Sequence, residues 1–190
     1  MHPDPYYEPH STLQRTSTRH IALVGFDGSQ THNVAAFLSS MTGMTLIELD
    51  QWVAHQAGCS VAQLYLQQGE QAWRTLESQC LKDIVHTKPY AIINLNQKIL
   101  LNPKHRKLCH QHCRLFYIRK SAQYLFDEII AGRKKNPQRF PYWIQRPPHS
   151  VSEVKQQLTQ LQASYEVADD CIEANDLAPL TIARKILQRL

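Results

Sequence analysis

Short apolar runs alternate with longer segments of helical period along this chain, and that alternation limits its fold more than any other feature. HIALVGF, MTLIELD, YAIINL, RLFYIR and EVADDCIEA are short, apolar and bounded by turn residues, so each reads as a buried strand. Between and after them, THNVAAFLSSMTG, DQWVAHQAG, NPKHRKLCHQ, SAQYLFDEIIAG, VSEVKQQLTQLQASY and APLTIARKILQRL carry apolar residues at helical spacing. So do VAQLYLQQG, with Ser60 as its N-cap, and the stretch from Glu70 to Val85. Gly58 ends one helix and Ser121 caps another. Strand and helix in repeated succession predict a parallel sheet covered on both faces.

With 190 residues, the chain suits one α/β domain with a sizeable core. No run approaches the ~18 apolar residues that a membrane span requires, so a soluble protein is expected. Residues 1–18 lack an apolar core and are rich in Pro and His, which predicts a flexible arm rather than a secretory signal or anchor. The five cysteines are odd in number and have no framework spacing, as expected of reduced thiols in a cytoplasmic protein. The net charge of +5 lies largely in GRKKNPQRF and NPKHRK, which read as solvated basic surface, and neither nucleic acid nor membrane is an expected partner. The cluster Cys109 to Cys113, CHQHC, has zinc-ligand residue types but not the separated pairs of a structural site; buried thiols are the simpler reading, and no metal is expected.

In parallel α/β sheets, ligands bind beyond the carboxyl ends of the strands. The first such end, GFDGSQTHN, is laid out like a phosphate-binding loop, G-x-x-x-x-G-K-[ST]. Gly25 opens the pattern and Gly28 permits a tight turn. However, Gln30 replaces the second glycine, Thr31 the lysine and His32 the Mg²⁺-binding hydroxyl residue.

The segments IALVGFDGS, LIELDQWVAHQAGCSVAQLYLQQGEQAWRTLESQCL and YEVADDCIEANDLAPLTIARKILQRL, in this order, resemble shikimate kinase over nearly all of residues 19–190. ELD at the end of the second strand and GEQAWRTLE farther on carry the most specific part of the likeness. It implies a three-layer α/β/α domain of P-loop NTPase type, with five parallel strands in the order 2-3-1-4-5 and a lid at about 132–148. It also implies an acceptor pocket with Asp50 and Arg74, and Glu48 at the Mg²⁺-associated acidic position. The residue chemistry agrees: an aspartate accepts hydrogen bonds from hydroxyls, and an arginine fork takes a carboxylate. Glu77, three residues after Arg74, is placed to orient it. Equally, Asp50 suits a helix cap, and Arg74 a surface pair with Glu70 or Glu77.

The departures concern the chemistry. Phosphoryl transfer is mostly positioning and charge stabilisation, and the loop lacks both its cation and its metal-binding hydroxyl. Where the family has a glycine triplet after the third strand, this chain reads NLNQK. In the lid, Asn136 takes the arginine position, with Arg133, Lys134, Lys135 and Arg139 nearby; a later family arginine falls at Gln160 or Leu161. The expectation is a shikimate-kinase-like protein without ATP-dependent phosphoryl transfer and without a cofactor. It would bind a small hydroxylated carboxylate or a protein partner. The alternative is an active small-molecule kinase using ATP and Mg²⁺, with cations such as Lys98, Lys134, Lys135 or Arg139 supplied from another direction. The lid aromatics Phe140, Tyr142 and Trp143 would close over a ligand or pin the loop.

Overall fold

The computed structural model describes residues 19–135 and 148–190. Five strands, β1 (His20–Val24), β2 (Leu46–Glu48), β3 (Ile92–Asn94), β4 (Cys113–Arg119) and β5 (Asp170–Glu173), form one sheet in the order β2-β3-β1-β4-β5. Every pairing is parallel; Leu23 lies opposite Asn94 on one side and Phe116 on the other. Both the α/β class and the strand order agree with the sequence reading. β1 is buried along its whole length, as a central strand covered on both faces must be, and this is why it reads as an unbroken apolar run. His20 fits there because its Nδ1 accepts a hydrogen bond from the Ala91 amide at 3.1 Å.

Among the described residues, seven helices cover the sheet: α1 (Thr31–Thr42), α2 (Leu49–Ala57), α3 (Val61–Thr87), α4 (Pro103–His112), α5 (Ala122–Lys135), α6 (Val151–Tyr165) and α7 (Pro179–Leu187). One side of the core joins Val34 and Leu38 of α1 to Ile182 and Ile186 of α7. The other packs Trp73, Leu81 and Ile84 of α3, Leu125 of α5 and Tyr165 of α6 against the opposite sheet face. The boundaries follow local chemistry. Ser60 and Gln63 form a reciprocal capping box, Ser121 Oγ accepts from the Tyr124 amide, and Gly58 ends α2 at φ 67°. At Gly69 the backbone of α3 leaves helical geometry, with φ 82° and ψ 176°, so two helical segments meet there as the glycine suggested.

Two details differ from the sequence reading. A 3-10 turn, Ile99–Leu101, intervenes between β3 and α4, where Ile99 and Leu100 are buried. Residues 132–135, expected to open the lid, instead continue α5; three cations in that last turn, Arg133, Lys134 and Lys135, suit the negative end of a helix. The arm at 1–18 and the lid residues Asn136, Arg139, Phe140, Tyr142 and Trp143 lie outside the described residues. No described helix is long and apolar enough to cross a membrane.

Candidate functional site

The segments after β1, β2 and β3 meet at the carboxyl edge of the sheet, where two cavities open. The smaller, about 210 Å³, is bounded by residues 25–33, Asp50, Asn94–Gln97, Glu128 and Gly132. The larger, about 730 Å³, lies between α3, the 3-10 turn, α4 and α6.

Residues 25–30 turn the chain from β1 into α1. Gly25 is required by packing, since a Cβ there would lie 2.4 Å from Ser29 Oγ. Gly28 has φ 87° and sits against the backbone of Leu125 on α5. Gln30 adopts φ 62°, a left-handed conformation that costs a non-glycine residue roughly 1–2 kcal/mol. Its side chain is held from outside the loop: Nε2 donates to Tyr124 Oη and Glu128 Oε2 of α5, both at 2.9 Å. His32 Nδ1 lies 2.7 Å from Glu48 Oε1. The other Glu48 oxygen accepts from Asn94 Nδ2 at 2.7 Å, so both oxygens of this carboxylate have partners.

Among the described residues, no lysine or arginine lines the smaller cavity, whereas Asp27, Asp50 and Glu128 do. Lys98 lines the larger cavity instead, and Lys134 and Lys135 are exposed at the end of α5. Lys120, at the end of β4, is buried; its Nζ donates to Leu177 O at 3.2 Å and lies 4.1 Å from the centre of the Tyr124 ring.

Arg74 and Glu77 come together as the sequence predicted. Arg74 Nη1 donates to both Glu77 oxygens, at 3.2 and 2.9 Å, while its Nε is 3.6 Å from Glu70. Glu77 is fully buried; desolvation pushes its pKa above the usual carboxylate range, and the Arg74 charge pulls it back. Asp50 stands in the first turn of α2, whose N-cap is Glu48, and accepts from Asn96 Nδ2 at 3.3 Å. The same Asn96 amide also donates to Glu77, a buried link between the two cavities. Gln97 lines both cavities and its Oε1 accepts from the Asp27 amide at 3.2 Å. Asp50 and Arg74 are therefore linked through Asn96 and Glu77, but Asp50 borders the smaller cavity and Arg74 the larger.

The larger cavity has a polar floor that sequence reasoning did not anticipate. His105 Nδ1 is 3.1 Å from Ile99 O, and its Nε2 is 2.8 Å from Ser78 Oγ and 3.4 Å from Asn102 Nδ2. Burial lowers the His105 pKa, which favours neutral imidazole with Nδ1–H donating to the Ile99 carbonyl, while Ser78 Oγ donates to Arg74 O at 2.8 Å. Gln157 and Gln160 of α6 add amides to the opposite wall. The one available signal for the wall between the cavities was the run of amide side chains, Asn94, Asn96 and Gln97, in NLNQK.

The cysteines of CHQHC are buried: Cys109 and Cys113 are hydrogen-bonded to each other, and that contact together with burial raises the Cys113 pKa far beyond the thiol range. Among the described residues no three His, Cys, Asp or Glu side chains are grouped as metal ligands would be.

The family model for shikimate kinase matches residues 31–190. The shikimate kinase of Thermodesulfovibrio yellowstonii is 23% identical over 170 residues, covering 90% of this chain and 94% of that protein. The Enterococcus faecalis shikimate kinase is 24% identical over 174 residues, covering 90% and 97%. Among solved structures, shikimate kinase from Acinetobacter baumannii in complex with shikimate superposes with a TM-score of 0.75 at 20% identity, covering 91% of this chain and 93% of that one. The Aquifex aeolicus shikimate kinase gives 0.70 at 21%, covering 90% and 94%.

Proposed function

The chain belongs to the shikimate kinase family, and on that premise we propose that it binds a small hydroxylated carboxylate in the Arg74 cavity without transferring phosphate from Mg·ATP. The observation that carries this reading is the Asn96 side chain, hydrogen-bonded to Asp50 at the phosphate-loop cavity and to Glu77 at the acceptor cavity. In-line transfer requires the terminal phosphate and the acceptor hydroxyl in contact, with no side chain between them. Asn96, with Gln97 tied to the loop amide, stands at that junction.

The residues of the loop cavity do not fit Mg·ATP. Glu48 is already satisfied by His32 and Asn94, and His32 supplies no hydroxyl for the metal. Three carboxylates and no lining cation, among the described residues, repel a polyphosphate. The backbone amides of a helix N-terminus favour an anion, but they are a partial charge against full negative ones.

The acceptor cavity keeps the chemistry for a carboxylate: Arg74 oriented by Glu77, Lys98, and amide and hydroxyl groups from Asn102, Ser78, Gln157 and Gln160. The Acinetobacter baumannii relative is solved with shikimate, which makes that compound the first ligand to try. If this chain instead transfers phosphate, it does so as an ATP-dependent phosphotransferase of its family's type, with cations such as Lys98, Lys134, Lys135 or Arg139 supplied from another direction. Calorimetric titration separates the readings. Shikimate is expected to bind and Mg·ATP to give no heat of binding; tight Mg·ATP binding, lost on altering residues 25–33, would favour the kinase.

A further inference from the structure

Ser78, His105 and Asn102 all line the larger cavity, and their hydrogen bonds set a different task for each. The neutral imidazole of His105 holds one proton, and the Ile99 carbonyl, 3.1 Å from Nδ1, accepts it. Nε2 is left with a lone pair, 2.8 Å from Ser78 Oγ. The serine hydroxyl has one hydrogen and two acceptors at 2.8 Å: Arg74 O, one helical turn back, and His105 Nε2. Turning the O–H bond alone hands that hydrogen from the carbonyl to the imidazole, with no heavy atom displaced. Asn102 is fixed from its other end. As N-cap of α4 its Oδ1 accepts from the Lys104 amide at 2.9 Å, and its Nδ2 lies 3.4 Å from His105 Nε2. His105 is buried and Ser78 half-buried, so the base is shielded from water while the hydroxyl is reached from the cavity.

We propose that these residues form a serine–histidine dyad that hydrolyses small carboxylic esters, with Ser78 as nucleophile, His105 as general base and Asn102 Nδ2 as donor to the oxyanion. Ser78 Oγ bonds to the ester carbonyl carbon while its proton passes to His105 Nε2. The tetrahedral oxyanion collapses, the bond from carbon to the alcohol oxygen breaks, and the Nε2 proton leaves on that alcohol. Water then attacks the acyl-serine, giving its proton to Nε2; the acid is released and Ser78 recovers its hydrogen. Nothing beyond ester and water is consumed. The substrate class rests on the carboxylate-binding reading above: Arg74 stands one turn before Ser78 on α3, so an ester of a hydroxylated acid yields as product the kind of carboxylate that this cavity binds.

The test has two probes. Diisopropyl fluorophosphate, which labels activated serine hydroxyls, is expected to give one adduct, mapped to Ser78 by peptide mass spectrometry and lost in His105→Gln, where the serine is intact. The methyl ester of shikimate is expected to be hydrolysed, with kcat reduced on the order of 100-fold or more in Ser78→Ala and in His105→Gln. Asn102→Asp keeps a cap for α4 but removes the amide donor, so kcat should fall on the order of 100-fold while KM stays within about twofold and the melting temperature is unchanged. A purely structural Asn102 would leave kcat at the native value and would overturn its assignment to the oxyanion. Labelling of Ser78 without hydrolysis of the ester would overturn the substrate class. No adduct at Ser78 in the native chain would overturn the dyad, and calorimetry with shikimate on the same preparation shows separately whether the binding reading stands.

Discussion

His32 Nδ1 lies 2.7 Å from Glu48 Oε1, joining the first turn of α1 to the end of β2. A histidine there is more than the loss of a hydroxyl, since it engages the acidic residue that the family likeness assigns to the metal. The phosphate-binding end of the site is therefore built as an internal hydrogen-bonded cluster, with Asn94 completing it.

Rebuilding that end alone should restore binding but not catalysis. The triple variant Gln30→Gly, Thr31→Lys and His32→Ser adds a cation and frees Glu48. It should raise Mg·ADP affinity by on the order of 100-fold, as expected for about two charge-assisted contacts of roughly 1.5 kcal/mol each. Turnover with shikimate should stay undetectable until Asn96→Gly and Gln97→Gly are added, because those side chains link the wall between the cavities. Calorimetry and product analysis on the two variants check this, and turnover in the triple variant would show that the wall is no barrier.

Gln30 offers a test of how the loop is held. Its left-handed backbone persists because Tyr124 and Glu128 secure its side chain. Gln30→Ala keeps the strained backbone and loses both bonds, so chemical denaturation should show a loss of about 1.5–3 kcal/mol, the range for bonds involving a charged partner. Gln30→Gly should lose less, by roughly 1 kcal/mol, since glycine tolerates that backbone.

The fold was legible because its physics is local. Buried parallel strands read as apolar runs, and Gly58, Ser60 and Ser121 mark helix ends by their own chemistry. The pairing of Arg74 with Glu77 was legible for the same reason, being a matter of helical spacing. The bonds that define the site are not local: Gln30 meets Glu128, Asn96 meets Glu77, and Ser78 meets His105 only after the sheet brings distant segments together. Nothing in the spacing of NLNQK says that its side chains would reach across the two cavities.

Stability should fall in mild acid, and His105 should contribute to the fall. Its folded pKa is lowered by burial, so below the ordinary histidine value the unfolded chain binds more protons than the folded one. The stabilisation is complete above the ordinary value and is lost as pH falls through the lowered folded one. His20, also lowered by burial, acts in the same direction. Thermal denaturation as a function of pH should show a shallower acid slope in His105→Gln than in the native chain; an unchanged slope would mean that folding does not lower the His105 pKa.

The most direct test of the account is transfer itself. Purified protein is incubated with Mg·ATP and shikimate, and the products are read by mass spectrometry. The account predicts no phosphorylated shikimate above the level of a protein-free control, while the same preparation binds shikimate in calorimetry. Phosphorylated shikimate formed in proportion to protein concentration, and abolished by Asp50→Asn or Arg74→Ala, would contradict it.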